Sequence, residues 1–281
     1  MKVERRFYKN GKLMEEEYCN ERGLLHREGD LPAKIRYYRN GKIQLKMWYK
    51  NGKLHRDGDK PAEIYYYDYK LGRIAYYKNG KLHRDGDKPA LMTFIRGKLC
   101  SETYYKDDKQ HRDGDKPASI VYYSKGKIRE KMWLKNNQIH RDGAKPAVIE
   151  YDENGKVIRT VWYKYGVEVS EDFCKQDFSK LDPVKVLKTR NVQRRMLLIQ
   201  LIGLDNLLRK LKGESLGVSP DKQYELLCFN NIFSTPMKVL KMRCPTVGVY
   251  YLVPVHPKCN TWEEGLNFYY GGRKYNFLWE K

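Results

Sequence analysis

The chain has 281 residues, enough for two domains and a sizeable buried core. Its 56 Lys and Arg against 35 Asp and Glu leave a net charge of +21, a field that favours acidic partners (nucleic acid, anionic lipid or acidic protein) without choosing among them. No apolar run approaches the roughly 20 residues of a membrane span, MKVERRFYKNGK lacks an apolar signal core, and the six cysteines (19, 100, 174, 228, 244, 259) form no dense framework, which fits reduced thiols in a cytoplasmic setting.

Residues 1–25 read as a degenerate capping unit, with Phe7-Tyr8-Lys9-Asn10-Gly11-Lys12 aligned to later Tyr-Lys-Asn-Gly-Lys strings. From there the string HRDGDKPA, or a close variant, recurs five times, at His26, His55, His83, His111 and His140, separated by 29, 28, 28 and 29 residues. A fixed period of that size means stacked copies of one supersecondary unit. A residue recurring in every unit serves the unit's fold before it serves a single site.

In the unit starting at His55, the Asp57-Gly58 pair is turn chemistry, and Pro61 suits the first position of a strand because it cannot donate to a ladder. From Ala62 the pattern alternates, with Ala62, Ile64 and Tyr66 on one side. The other units repeat that column as Ala33-Ile35-Tyr37, Ala90-Met92-Phe94, Ala118-Ile120-Tyr122 and Ala147-Ile149-Tyr151. A short turn follows (Asn40-Gly41, Arg96-Gly97, Lys125-Gly126, Asn154-Gly155), and Asn-Gly there is a hairpin signal. Asp68-Tyr69 stands in that place in the unit from His55, which predicts a looser turn. A second strand then runs to another Asn-Gly-Lys or its equivalent and re-enters the next loop.

Two strands per unit over six units predict an elongated, twisted antiparallel meander of about twelve strands across residues 1–168. The second strands carry an aromatic column, Trp48, Tyr76, Tyr104, Trp133 and Trp162, with Phe7 in the cap and Lys46 and Lys131 as same-face neighbours. The column reads either as cross-strand packing with Lys stems or as a stacking platform for bases or partner side chains.

Residues 169–281 read as a small α+β domain. Asp182-Pro183 starts a helix, and Val192 to Leu211 has helical spacing that Gly203-Leu204-Asp205 divides. Met237 to Met242 and Val247 to Val255 read as strands joined by Cys244-Pro245-Thr246. Thr261 to Glu264 forms a capping box opening a last helix.

The histidines with Asp57, Asp85, Asp113 and Asp142 invite a metal reading, but each loop has too few oxygen ligands for calcium and no zinc spacing. Stacked loops instead let each His bond the neighbouring turn, with Arg and Asp pairing between units. Cys228, Cys244, His256 and Cys259 offer a Cys₃His zinc set of which only His256 and Cys259 have a workable separation; free thiols are the expected state. No nucleophile motif or phosphate-cradling loop stands out, and no cofactor is expected.

With the repeats laid out, the five HRDGDKPA-type strings, each followed by hairpin strings such as YYRNGK and WYKNGKLH, resemble the MORN-like repeat proteins of large DNA viruses of amoebae and of many bacteria. The resemblance covers residues 1–168 and departs from the standard MORN pattern, which is shorter in period and richer in Gly. The second half resembles a domain of unknown function that often follows such repeats, on Asn191-Val192-Gln193-Arg194-Arg195, Gly203, Tyr224-Glu225-Leu226, Lys238-Val239-Leu240-Lys241, Val253-Pro254 and Thr261-Trp262-Glu263-Glu264. It brings no catalytic residues with it. It implies a virus-encoded structural or assembly protein, in host cytoplasm or virion.

The expectation is therefore a non-enzymatic repeat scaffold for protein partners, acidic ones included. Two alternatives remain: a nucleic-acid binder using the basic surface and the Trp/Tyr column, and an enzyme whose cleft in the C-terminal domain gathers Arg194, Arg195, Glu225 and His256.

Overall fold

The computed structural model describes residues 1–189, 191–230, 236–243 and 250–270. The chain divides into two compact units, Met1–Cys174 and Lys175–Lys281. Among the described residues no helix is long and apolar enough to cross a membrane.

The first unit is one antiparallel meander of thirteen strands. They are β1 (Lys2–Phe7), β2 (Leu13–Cys19), β3 (Lys34–Tyr37), β4 (Ile43–Met47), β5 (Glu63–Tyr67), β6 (Lys70–Ala75), β7 (Leu91–Ile95), β8 (Lys98–Thr103), β9 (Ser119–Tyr122), β10 (Ile128–Met132), β11 (Val148–Tyr151), β12 (Val157–Lys164) and β13 (Val167–Val169). Twelve of them are the two-per-unit strands read from the sequence, and the short β13 closes the series.

Two details differ from the sequence reading. The second strand of a full repeat does not run on to the next loop. It stops before the aromatic residue, and the chain makes a separate two-residue ladder, Tyr49–Lys50 with Lys53–Leu54 and likewise 77–78 with 81–82, 105–106 with 109–110 and 134–135 with 138–139. The reason lies in its turn. Asn51 and Gly52 both have positive φ (50° and 78°), the two-residue geometry that Asn-Gly favours and that forces an immediate reversal.

The Asp68-Tyr69 turn is also tighter than expected, not looser. Both residues have positive φ (45° and 63°), and Tyr67 opposes Lys70 directly. In the units from His26 and His111, five residues separate the paired strands (38–42 and 123–127), whereas in those from His55 and His83 only two do (68–69 and 96–97). The shorter turns, partly offset by longer strands, account for the 28-residue spacing against 29.

Each of the six hairpins carries one register shift, as between Arg36 and Tyr37 or Thr93 and Phe94, and bulges of this kind increase strand twist.

In the second unit, β14 (Glu214–Val218), β15 (Tyr224–Phe229), β16 (Met237–Arg243) and β17 (Tyr250–Val255) form an antiparallel sheet in sequence order. The first two were not anticipated from sequence. The short α1 (Glu171–Cys174) ends the first unit; α2 (Pro183–Leu187), α3 (Val192–Ile202), α4 (Leu204–Leu211) and α5 (Trp262–Tyr270) belong to the second. Asp182 caps α2 by accepting from the Val184 N–H (2.9 Å), and Gly203, at φ 82°, separates α3 from α4. Thr261 Oγ1 accepts from the Glu264 N–H (3.2 Å), while the Glu264 carboxylate takes the Asn260 N–H (2.6 Å). One apolar cluster joins Leu227, Phe229, Val239 and Leu252 of the sheet to Ile199, Leu207 and Leu211 of α3 and α4. The opposite face, with Leu226, Leu240 and Val255, packs with Trp262 and Leu266 of α5.

Candidate interaction surfaces of the repeat array

The HRDGD loops are tied to their neighbours by a recurring set of bonds. The histidine Nε2 lies 2.7–3.0 Å from the carboxylate two residues on: Glu28 for His26, Asp57 for His55, Asp85 for His83, Asp113 for His111 and Asp142 for His140. Nδ1 faces the next small hairpin and accepts a backbone N–H there, from Asn51 to His26 (3.3 Å), Asn79 to His55 (3.1 Å), Asp107 to His83 (3.2 Å) and Tyr165 to His140 (3.1 Å). An accepting Nδ1 carries no hydrogen, which leaves Nε2 as the donor to the carboxylate. His111 Nδ1 is buried without such a donor. Burial pushes the His140 imidazole below its ordinary value.

The second acidic position of each loop reaches forward to the following unit. Asp30 accepts from Arg56 (2.6 and 3.1 Å) and Lys60 (2.8 Å), Asp59 from Arg84 and Lys88, Asp87 from Arg112 and Lys116, and Asp115 from Arg141 and Lys145. The arginine bonds, then the lysine bonds, hold all four carboxyls well below the usual carboxylate range, Asp115 at about 2. The last loop has no following unit, and there the position is Ala144. Its neighbour Lys164 is buried, donating to the carbonyls of Arg141 (2.5 Å) and Gly143 (2.6 Å).

The same arginines cover the aromatic column. Guanidinium carbons lie 3.6–3.9 Å from the rings of Tyr18 (Arg27), Trp48 (Arg56), Tyr76 (Arg84), Tyr104 (Arg112) and Trp133 (Arg141). Beside the rings, Ala33, Ala62, Ala90, Ala118 and Ala147 are fully buried. Trp48, Tyr104 and Trp133 are buried and Trp162 half-buried, its Nε1 donating to the Ala144 carbonyl (3.1 Å). From Tyr18 to Trp133 the column is thus a packed seam, each ring covered by a cation–π contact. In the cap its place is taken by Tyr18, not Phe7. Phe7 opposes Leu13, as Tyr37 opposes Ile43, so the cap string aligns with Tyr37-Tyr38-Arg39-Asn40-Gly41-Lys42.

Between successive loops lie similar clefts, about 480 Å³ beside Tyr76 and 380 Å³ beside Tyr104. Their lining carboxylates, Asp57, Asp59, Asp85 and Asp87 among them, are already engaged by His, Lys or Arg.

The column shares its sheet face with two further rows of side chains. One runs Ile35, Lys46, Ile64, Ile74, Met92, Glu102, Ile120, Lys131, Ile149 across successive strands. The other pairs Tyr37 with Ile43, Tyr66 with Leu71, Phe94 with Leu99, Tyr122 with Ile128 and Tyr151 with Val157. Apart from the buried Ile35 and the exposed Val157, these side chains are partly exposed. Sequence reasoning found the first-strand members by alternation. It missed the second-strand members Ile43, Leu71, Leu99 and Ile128, whose signal was their fixed place just after each turn.

In the second unit, Arg195 is buried and donates to the Thr189 carbonyl (2.9 Å), Arg194 is exposed, and Glu225 pairs with Lys241 (2.9 Å). His256 tilts against the Phe268 ring, and its Nδ1 accepts from the Lys258 N–H. Cys228 bonds Asn230, Cys259 is buried, and Cys244 lies outside the described residues. Among the described residues no group of three or more His, Cys, Asp or Glu is placed to hold a metal ion.

A family model, the MORN repeat variant, matches residues 2–20, the hairpin of β1 and β2. Together with the repeated hairpin meander, that match supports a MORN-like repeat protein. No curated protein matches the chain, and no solved structure does.

Proposed function

We infer that the array is a scaffold that docks protein partners on the partly exposed face of its sheet. The observation that carries this reading is the pair of largely apolar rows spanning β3 to β12, left partly exposed while the aromatic seam beside them is covered by arginines. Contiguous exposed apolar surface of this kind marks interaction sites, and Tyr, Phe, Ile and Met supply anchors. Lys46 and Lys131 lie within the first row with no carboxylate partner among the described residues, while Glu102 in the same row accepts from the Tyr122 hydroxyl (2.6 Å), a balance that favours a partner whose apolar patch carries acidic residues. Repetition makes the contact multivalent. A place in a virus particle or its assembly belongs to this proposal through the family resemblance alone.

The test is affinity capture from the native source at moderate salt, with wild type beside Ile64→Asp/Ile120→Asp. The reading expects a defined protein partner that wild type retains and the variant loses, while circular dichroism of the two is the same. A captured set unchanged by the substitutions contradicts it.

A further inference from the structure

The turns joining the two long strands of each unit lie at the other end of the strands from the HRDGD loops. Six equivalent positions there are lysine: Lys12, Lys42, Lys70, Lys98, Lys127 and Lys156. Register fixes the equivalence. The N–H groups of Tyr8, Tyr38, Tyr123 and Asp152 donate to the carbonyls of Lys12, Lys42, Lys127 and Lys156, and in the two short turns Tyr67 and Ile95 oppose Lys70 and Lys98. All six are exposed, and among the described residues none pairs with a carboxylate. Lys42 instead rests over the Tyr69 ring, 4.4 Å from its centre.

This is the reverse of the loop end, where Lys60, Lys88, Lys116 and Lys145 are each neutralised by an aspartate. Successive lysines are separated by two strands, or roughly 9.6 Å, so the row extends over about 48 Å. The turns between them are mainly polar, with Tyr69 exposed in one short turn and Phe7, Tyr67, Ile95 and Val157 exposed at the strand ends that flank them.

We propose that this lysine comb binds the phosphate backbone of nucleic acid without reading sequence. Unpaired cations at regular intervals on tight turns match a ligand that is negative along its whole length, and neutralising its phosphates releases counterions. A protein partner needs an apolar centre, and the array has its longer apolar rows on the sheet face. The sealed Trp/Tyr seam takes no part.

The test is fluorescence anisotropy of the full chain with labelled random-sequence DNA of about 30 nucleotides, single-stranded and duplex, between about 50 and 200 mM salt. Wild type should bind with affinity falling steeply as salt rises. Lys42→Gln/Lys98→Gln/Lys127→Gln should weaken binding at least about 10-fold and flatten the log–log salt slope by about 3, while the matching Lys→Arg triple keeps both. Lys53→Gln/Lys81→Gln/Lys109→Gln, which removes the same charge at the small hairpins, should change affinity by less than about 2-fold. Absence of binding, equal losses from the two Gln triples, or tighter comb-dependent binding of polyglutamate than of DNA would each overturn the proposal.

Discussion

The two units of this protein solve the problem of a sheet with two faces in opposite ways. The C-terminal sheet is closed on both sides, by α3 and α4 over Leu227, Val239 and Leu252 and by α5 over Leu226, Leu240 and Val255. The array instead spends its contacts between neighbouring units, through His–backbone, Arg–Asp and Arg–aromatic bonds along one end of the strands. Its buried positions are small (the alanine column) or polar (Glu15, Glu63, Thr103, His140) as often as large. Repeat proteins held by nearest-neighbour contacts need no covering layer. A sheet stabilised from its edge keeps a face and a row of turns free for partners; one stabilised from its faces does not.

The comparison breaks most visibly in the C-terminal core. Leu207→Ala, at a fully buried position, should cost about 2–5 kcal/mol; hydrogen exchange should show protection lost through α2 to α5 and retained from β3 to β12. Within the array the matching experiment adds volume. Ala90→Leu, under the sealed seam, should cost about 1–3 kcal/mol, read by urea denaturation, and lower protection in the adjacent units first.

Asp115→Ala removes the acceptor of Arg141 and Lys145. Because the carboxylate is 44% solvent-exposed, screening limits the loss to about 1 kcal/mol. Acid should dissect the same lattice. His140 is held below its unfolded value near 6.5, so the unfolded chain takes up that proton first and stability declines as pH falls beneath that value. Asp30, Asp59, Asp87 and Asp115 are held below 3.8, so their contribution is complete above that pH and disappears as pH falls through their folded values. Thermal melts between pH 7 and pH 2 should therefore lose stability in two stages. The smallest effect is expected from Ala144→Asp, within about 0.5 kcal/mol by the same denaturation assay, because no arginine follows the last loop.

Much of this was legible in the sequence. Period, strand alternation, the His and Arg–Asp links between loops, the Asp182 cap and the break at Gly203 all come from local chemistry that repeats or from residues with one preferred role. What escaped depends on tertiary context. That Arg56 would lie over Trp48 cannot be read from a string in which the two are eight residues apart across a turn. The two-residue ladder at Tyr49 was hidden because a strand that stops and a strand that continues show the same alternation over so short a stretch. Ala144 was visible as a departure from HRDGD, but its meaning required knowing that the Asp it replaces reaches forward. β14 and β15 were missed because Glu214–Val218 is nearly all exposed and Leu226 to Phe229 is a continuous apolar run, buried on both faces.

The repeat lattice rests on loops locked to the next unit through Nδ1 of four of the five repeat histidines. Imidazole ¹⁵N NMR of the full chain at neutral pH measures this directly. His26, His55, His83 and His140 should each show a protonated Nε2 and an unprotonated, hydrogen-bonded Nδ1. Imidazoles protonated at Nδ1, or averaging between the two tautomers, would contradict it.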